Sequence, residues 1–459
     1  MMGERQTDQP QLFYAFSLER HVPKDHLLRS IDRFVDLTSI REHLRPYYSE
    51  TGRPSIDPEL MIRMLLIGYC YGIRSERRLC EEVHLNLAYR WFCRLGLDGQ
   101  VPDHSTFSKN RHGRFRDSDL FRRLFEETVA RCIAEGLVGG DGFAADASMI
   151  KADTNRQRSV PPEDWQPPDV PSRAVREYLA VLDDAAFGAA TPVEPKFISV
   201  ADPASRWTGA NGGLAFFAYS DNYLIDLKHA VILDVEATTS IRQAEVGATK
   251  LMLDRVEARF GLSPDRLAAD TAYGSAEMLA WLVNDKKIAP HIPVFDKSER
   301  TDGTFSRADF TYDAETDRYT CPGSHELRHY RRPFTTPRSG VDRHGLKRYR
   351  ASQHDCGTCA LKAQCCPTAS ARKVLRSIHE AARDRAREIA LSEAYLTSRC
   401  ERKKVEMLFA HLKRILKLHR LRLRGPNGAK DEFLLAAAQN LRKLARLVPM
   451  PAPAPAMAD

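Results

Sequence analysis

Three carboxylates stand where this chain has chemistry to offer: Asp146, Asp270 and Glu406. Glu406 has the most telling setting. It lies in Arg402-Lys403-Lys404-Val405-Glu406-Met407-Leu408-Phe409-Ala410-His411-Leu412-Lys413, where Val405, Leu408, Leu412 and Ile415 recur at helical spacing as a face to be packed on a sheet. Arg402, Glu406, Lys413 and Lys417 fall on a neighbouring face, so a single acid sits in a basic stripe. That is odd for a plain solvated surface and suits a metal-binding carboxylate inside a phosphate-binding groove. Asp146 and Asp270 each close a short run of small or apolar residues, Phe143-Ala144-Ala145 and Leu267-Ala268-Ala269. Both are therefore expected at strand ends, where open α/β sheets place ligands. Either one alone would more often be a cap or turn residue. Three converging carboxylates repel one another unless a divalent cation lies among them. Mg²⁺ or Mn²⁺, held by carboxylates, water and phosphate oxygens, is the natural ion. Two such ions ~3.5–4 Å apart activate one oxygen and stabilise the other in an in-line phosphoryl displacement.

The ten cysteines divide into two sets. Cys70, Cys80, Cys93, Cys132 and Cys400 are scattered through helical patterns and read as buried packing residues. Cys321, Cys356, Cys359, Cys365 and Cys366 are grouped. Cys356-x2-Cys359-x5-Cys365, with Cys321 upstream, supplies four thiolates for a tetrahedral, structural zinc without an open position. Cys366 competes with Cys365, and His325 or His354 can substitute; the alternative is a set of reduced thiols without a ligand. The surrounding stretch, residues 298–370, has few large aliphatic residues, so a metal is expected to support its fold.

The elements that must position these groups follow from periodicity and punctuation. Residues 10 to 135 read as short helices: one across Asp25–Ile40, one opened by Asp57-Pro58, one from Ser75, one over Ala88–Leu95 and one begun by Asp103 or Ser105. Their tight turns, ending in Lys109, Arg111, His112 and Arg114, suit a helix-turn-helix-like DNA reader or, equally, a helical packing domain. After Gly139-Gly140-Asp141-Gly142 the pattern becomes α/β. Strands are expected at residues 143–146, 214–219, 223–236, 267–270 and 288–294, with helices at 244–260 and 275–285. Prolines across 155–196 mark an exposed insertion around a helical piece at 174–186. Helices at 378–396 and 399–423, the latter stopped by Gly425-Pro426, and at 434–447 complete the chain before a Pro/Ala-rich, disordered tail.

Composition bounds the reading. At 459 residues two or three domains are expected, and a hydrophobic fraction of 43% is enough for their cores. No apolar run approaches the ~18 residues of a membrane helix, and the N-terminus lacks a signal-peptide core. A cytoplasmic protein without a membrane partner is expected, and disulfides are not. The net charge of +8 is modest, but basic residues crowd 399–424, including Lys417 and Arg420. A polyanion is the natural partner of such a stretch.

The chain resembles the bacterial insertion-sequence transposases of the DDE class, specifically insertion-sequence family 1182. Pro54-Ser55-Ile56-Asp57-Pro58 with Pro102-Asp103-His104-Ser105-Thr106-Phe107 resembles that family's N-terminal helical domain. Asp146-Ala147-Ser148-Met149-Ile150-Lys151-Ala152 resembles its first acidic motif and Ala269-Asp270-Thr271-Ala272-Tyr273-Gly274 its second. Arg402, Glu406 and Lys413 reproduce the Arg-x3-Glu-x6-Lys signature, and Asn440-Leu441-Arg442-Lys443 resembles the terminal helix. Arg399 replaces a frequent tyrosine, and Ala147-Ser148 a common Gly-Thr pair. The resemblance implies an RNase H-like catalytic core, a mixed five-stranded sheet flanked by helices, with metal ions on Asp146, Asp270 and Glu406. It comes with an all-helical N-terminal domain over 1–135, core segments at 136–297 and 378–448, and a cysteine-rich insertion at 298–377. The implied partners are terminal inverted repeats and target DNA, met by Lys109, Arg111, Lys151, Arg402, Lys413, Lys417 and Arg420. A homodimer in a synaptic complex, in a nucleoid-associated cytoplasmic protein, is the expected working form. A DNA-binding regulator without activity, or an RNase H-fold nuclease without strand transfer, are the alternatives.

Overall fold

Side-chain caps set the first helices. Asp57 accepts from the Glu59 amide with Pro58 in the first turn of Pro58–Tyr71, Ser75 opens Glu76–Leu85, and Asp103 opens His104–His112. Asn86 caps Leu87–Phe92 by accepting from Ala88 and Tyr89. The helix expected over residues 25–40 is instead two, Leu27–Asp32 and Ile40–Leu44. Asp36 accepts from both the amide and the hydroxyl of Thr38, a local turn that competes with the helix. The computed structural model describes residues 16–52, 55–182, 194–209, 213–295, 302–329, 340–343 and 345–450. Pro54 of the N-terminal motif, part of the Pro-rich insertion and the Pro/Ala-rich tail from 451 lie outside the described residues. The chain divides into two units, residues 1–263 with 403–459, and residues 264–402.

The first unit is built on three antiparallel strands: β1 (Gly142–Lys151), β2 (Phe216–Asp226) and β3 (Ile232–Thr239). Asp146 faces Tyr223 across the β1–β2 pair, and Ser148 faces Asp221. Two expectations are corrected here. β1 does not end at Asp146 but runs five residues further. The polar trio Ser220-Asp221-Asn222 does not separate two strands but lies buried in the middle of β2. Two of its side chains find partners: Ser220 donates to Glu245, and the Asn222 amide donates to the Glu236 carbonyl and the Thr238 hydroxyl. The turn falls instead between Asp226 and Ile232, where Ala230 takes φ +56°.

Alternation along β2 assigns its two faces. Ser220 reaches helix Arg242–Phe260 on one side; on the other, Tyr223 stacks on Phe409 of the long helix Glu393–Arg414, with ring centroids 4.5 Å apart. The terminal helix Ala436–Leu447 fastens this arrangement. Gln439 accepts from the Tyr223 hydroxyl and donates to the Leu408 carbonyl, while Asn440 exchanges two hydrogen bonds with the backbone of Ile232. The helical region is tied to β3 by Arg122 on Asp234, and helix Arg242–Phe260 by Arg255 on Asp234 and Glu236.

The long helix stops at Arg414 rather than continuing to 423. Lys417 takes φ +59°, and Ile415, expected to pack on the sheet, is 52% exposed, its place taken by buried Leu416. The chain then returns to β1, where the Leu421 amide donates to the Lys151 carbonyl. Gly425-Pro426 begins a further helix, Pro426–Phe433, because proline suits a first helical turn as well as it ends the preceding element. The Pro-rich insertion is not simply exposed. Ser159–Val160 pairs with Ile198–Ser199, and helix Arg173–Ala180 buries Ala174 and Val175.

In the second unit β4 (Arg266–Ala268) and β5 (Ala289–His291) pair in parallel, as a strand–helix–strand connection requires. A separate antiparallel sheet follows, of Thr311–Asp313, Arg318–Thr320, Glu326–His329, Leu346–Ala351 and Lys373–Ser377. The cysteine-bearing segment therefore has a core of its own, with Phe310, Tyr319, Leu327, Tyr349 and Val374 buried together. Among the described residues no helix is long and apolar enough to cross a membrane.

Glu432 is wholly buried, 3.0 Å from Arg74 and 3.6 Å from Arg111, and accepts from the Arg422 amide. Removing one member of such a pair strands the other's charge in the interior, at a cost of about 3–5 kcal/mol. Glu432→Ala is expected to lose stability of this order in urea unfolding; an unchanged midpoint would show the arginines to be satisfied elsewhere.

Candidate functional site

The first unit brings Asp146 and the signature lysine to one strand. Asp146 is half-buried in the middle of β1, and its Oδ1 accepts from the next amide, Ala147, at 2.8 Å. Two residues on, on the same face, the Ser148 hydroxyl accepts from Lys413 Nζ at 2.7 Å. Burial lowers the pKa of this ammonium, and the carboxyl of Asp221 opposes that shift. Asp221, in turn, is fully buried opposite Ser148. Burial pushes its pKa well above the usual carboxylate range while Lys413 pulls it down. Two residues that sequence reasoning missed, Asp221 and Tyr223, thus form the floor beneath Ser148 and Asp146. The available signal was an acid in a short polar trio flanked on both sides by apolar residues.

Glu406 is solvent-exposed on the long helix, three residues before buried Phe409 and seven before Lys413. Lys413 is half-buried, so the stripe expected from spacing runs from an exposed acid to a held ammonium. In the second unit, Asp270 lies two residues past the end of β4 and caps the turn Thr271–Tyr273, its Oδ1 accepting from the Ala272 amide at 2.7 Å. Strand-end placement is what the sequence predicts for this acid. One oxygen of each aspartate is thus turned toward a backbone amide.

The basic residues expected to meet DNA differ in setting. Lys109 is exposed in the last turn of His104–His112, and Lys151 is exposed at the end of β1. Lys417 is exposed where the chain leaves the long helix, and Arg402 is half-buried one turn before Glu406. Arg420 is exposed but paired with Asp153 at 2.9 Å, which Arg424 also contacts. Arg111 corrects the expectation. It is 4% exposed, paired with Glu76 at 3.0 Å and bonded to the Tyr69 hydroxyl, so it holds helices together instead of facing a ligand.

The grouped cysteines meet. Cys321, Cys356, Cys359, Cys365 and Cys366 line one cavity of about 20 Å³, with His325 beside them; His354 is not among its lining residues. The His325 amide donates to Cys321 Sγ at 3.3 Å, and a Cβ at Gly323 would stand 3.3 Å from Cys359 Sγ and 3.7 Å from Cys321 Sγ. Among the described residues, no three His, Cys, Asp or Glu side chains are disposed to hold a metal ion. The thiols as placed are neighbours rather than a ligand set.

Residues 16–113 match the family model of a transposase domain (DUF772), and residues 320–445 match that of the transposase DDE domain. The second match takes in Glu406, Lys413 and the cysteine group; Asp146 and Asp270 lie outside both. Two transposase domains in sequence, with an acid and a held lysine on the helix of the second, define the class as transposase. The two matches support a DDE-type insertion-sequence transposase.

The remaining cysteines yield a prediction. Burial pushes the thiols of Cys70, Cys93 and Cys132 up to about 12 and that of Cys80 to about 11, whereas Cys400, expected to be buried, is exposed. Thiolates are the reactive form. Brief maleimide treatment of the native protein at neutral pH should modify Cys400 and leave these four unlabelled by peptide mass spectrometry. Equal labelling of all five would contradict this packing.

Proposed function

We propose that the protein binds the ends of its insertion sequence, cuts DNA there in a metal-dependent reaction and joins the freed end to target DNA. It would do so with Asp146, Asp270 and Glu406 as its catalytic carboxylates. The observation that carries the reading is the Ser148–Lys413 bond, which holds an ammonium on β1 two residues from Asp146, on the helix that bears Glu406. An ammonium in that place favours phosphate oxygens and orients a strand.

The donor set fits the ion that the family implies. Carboxylate oxygens are the hard donors that Mg²⁺ or Mn²⁺ prefers, and a pair of such ions would supply Lewis-acid activation of an attacking oxygen and stabilisation of the leaving one. The chain's own residues do the rest. The Ala147 and Ala272 amides hold one oxygen of Asp146 and Asp270. Lys151 and Lys417, both exposed, offer charge to the DNA backbone. The strand and helix order, three antiparallel strands, a helix, then two parallel strands joined by a helix, supports an RNase H-like core. We assign the chain to insertion-sequence family 1182 on its ordered motifs, with the helical N-terminal residues as the reader of terminal repeats. A homodimer acting at the nucleoid is the working form this chemistry calls for, since two ends must be joined.

Glu406→Gln removes the charge and keeps the shape. Nicking of a terminal-repeat duplex in Mg²⁺ should fall below detection while binding to the same duplex in EDTA is retained. Full cleavage by this variant would overturn the assignment.

We also propose a structural zinc on Cys321, Cys356, Cys359 and Cys365, with Cys366 as the competing fourth thiol. Support comes from the shared cavity, about the size of one water or ion, and from the amide that donates to Cys321 Sγ. Protein purified without chelator should hold one zinc per chain by elemental analysis, lost in Cys356→Ser/Cys359→Ser. A metal-free, equally stable protein would overturn it.

A further inference from the structure

The first unit carries a second basic feature, on a helix face other than the one that bears Glu406 and Lys413. Between the long helix and the terminal helix runs a groove of about 810 Å³, lined by Lys404, Met407, His411, Arg442, Lys443 and Arg446 among others. No carboxylate is found among its described lining residues. Contrast the other large cavity of this unit, about 590 Å³, where Arg116, Arg173 and Arg424 also line the walls. There three of the four lining arginines, all but Arg422, are answered by an acid: Glu177 for Arg116, Asp117 for Arg173 and Asp153 for Arg424. In the groove the ammonium group of Lys443 is steadied by the backbone carbonyl of His229, which positions a charge without neutralising it.

The mutual repulsion of these cations is visible at Lys443. Its pKa is lowered to about 8, chiefly by burial, with Lys404 and Arg446 adding to the shift and Cys132 opposing it. A cluster of like charges held together in this way is stabilised by an anion that spans it. Arg442 and Arg446 are one helical turn apart, roughly 6 Å along the axis, and Gln439 to Leu447 extends the wall to roughly 12 Å. One strand of a duplex presents a phosphate about every 3.4 Å of its axis. The groove is therefore long enough for several phosphates and too open for recognition of a single small anion. Met407, 71% exposed on its rim, adds an apolar contact suited to a sugar or base.

We propose that this groove is a backbone-binding track for nucleic acid, separate from the carboxylates, that holds duplex DNA through its phosphates irrespective of sequence. The choice of DNA over another polyanion rests on the transposase reading; the charge argument does not. The probe is a random-sequence duplex, with binding followed by fluorescence anisotropy in EDTA over a range of salt. Loss of two phosphate contacts in Lys443→Gln/Arg446→Gln should reduce the slope of log affinity against log salt by about 1.8, at about 0.9 per phosphate. Arg446→Gln alone, at an exposed position, should give about half of that and guards against a folding defect in the double variant. Arg446→Lys should restore the slope. An unchanged slope in Arg446→Gln and in a folded double variant overturns the track. Mg²⁺-dependent nicking, measured in parallel, separates the two proposals. A protein that never nicks but shows the slope change keeps the track and loses the transposase chemistry; one that nicks with an unchanged slope does the reverse.

Discussion

Tyr223 is the contact on which the first unit's site depends. Its backbone places it opposite Asp146, its ring stacks on Phe409 of the helix that carries Glu406, and its hydroxyl donates to Gln439. A buried aromatic with a satisfied hydroxyl combines a large apolar area with a directional bond. The strand of one acid, the helix of another and the terminal helix are thereby set by a single side chain. Displacing the ring would move the helix that carries Glu406 and Lys413, which is how a residue without a catalytic group controls one.

Around that contact several buried polar groups hold the elements together through hydrogen bonds and ion pairs. Asn440 completes the backbone bonding at the start of β3, and Asp226 accepts from the amides of Gly139 and Gly140 where the chain enters β1. Asp234 and Glu236 hold Arg122 and Arg255. Such groups would be costly unpaired, and when paired they specify one register over others. Arg111 belongs to the same economy. In the sequence it stands beside Lys109 at the end of a helix, yet a buried Glu432 and Glu76 draw it inward while Lys109 stays in water.

Much of this was legible from residue types. Asp57, Ser75 and Asp103 announce their helices because a side-chain oxygen next to an orphan amide is a local event. Asp270 after Leu267-Ala268-Ala269 is equally local, and so is the basic stripe around Glu406. The failures are all tertiary. Ser220-Asp221-Asn222 has the composition of a turn, and only Glu245, Glu236 and Thr238, supplied from elsewhere, let it remain a strand. Asp146 looked like a strand end because it closes the run Phe143-Ala144-Ala145; the Lys413 and Leu421 bonds to the later part of β1 come from more than two hundred residues away. The cysteine segment looked too poor in aliphatic residues to fold, but its core is made by tyrosines, with Tyr312 and Tyr349 both donating to Asp317. The groove was missed because its cations are divided between two helices that only the folded chain brings together.

The division of the chain has a consequence for its synthesis. The first unit is discontinuous, interrupted by residues 264–402. The bonds that seal β3 to the terminal helix join Ile232 to Asn440, 208 residues apart. A ribosome adding about 5–20 residues per second needs on the order of 10–40 s to cover that distance. Throughout that interval β2 and β3 exist with one face uncovered, an apolar surface in search of cover. The nascent protein is therefore most exposed to aggregation, and most dependent on chaperones, in the period before its last helix emerges, and a chain truncated before Gln439 should never leave that state.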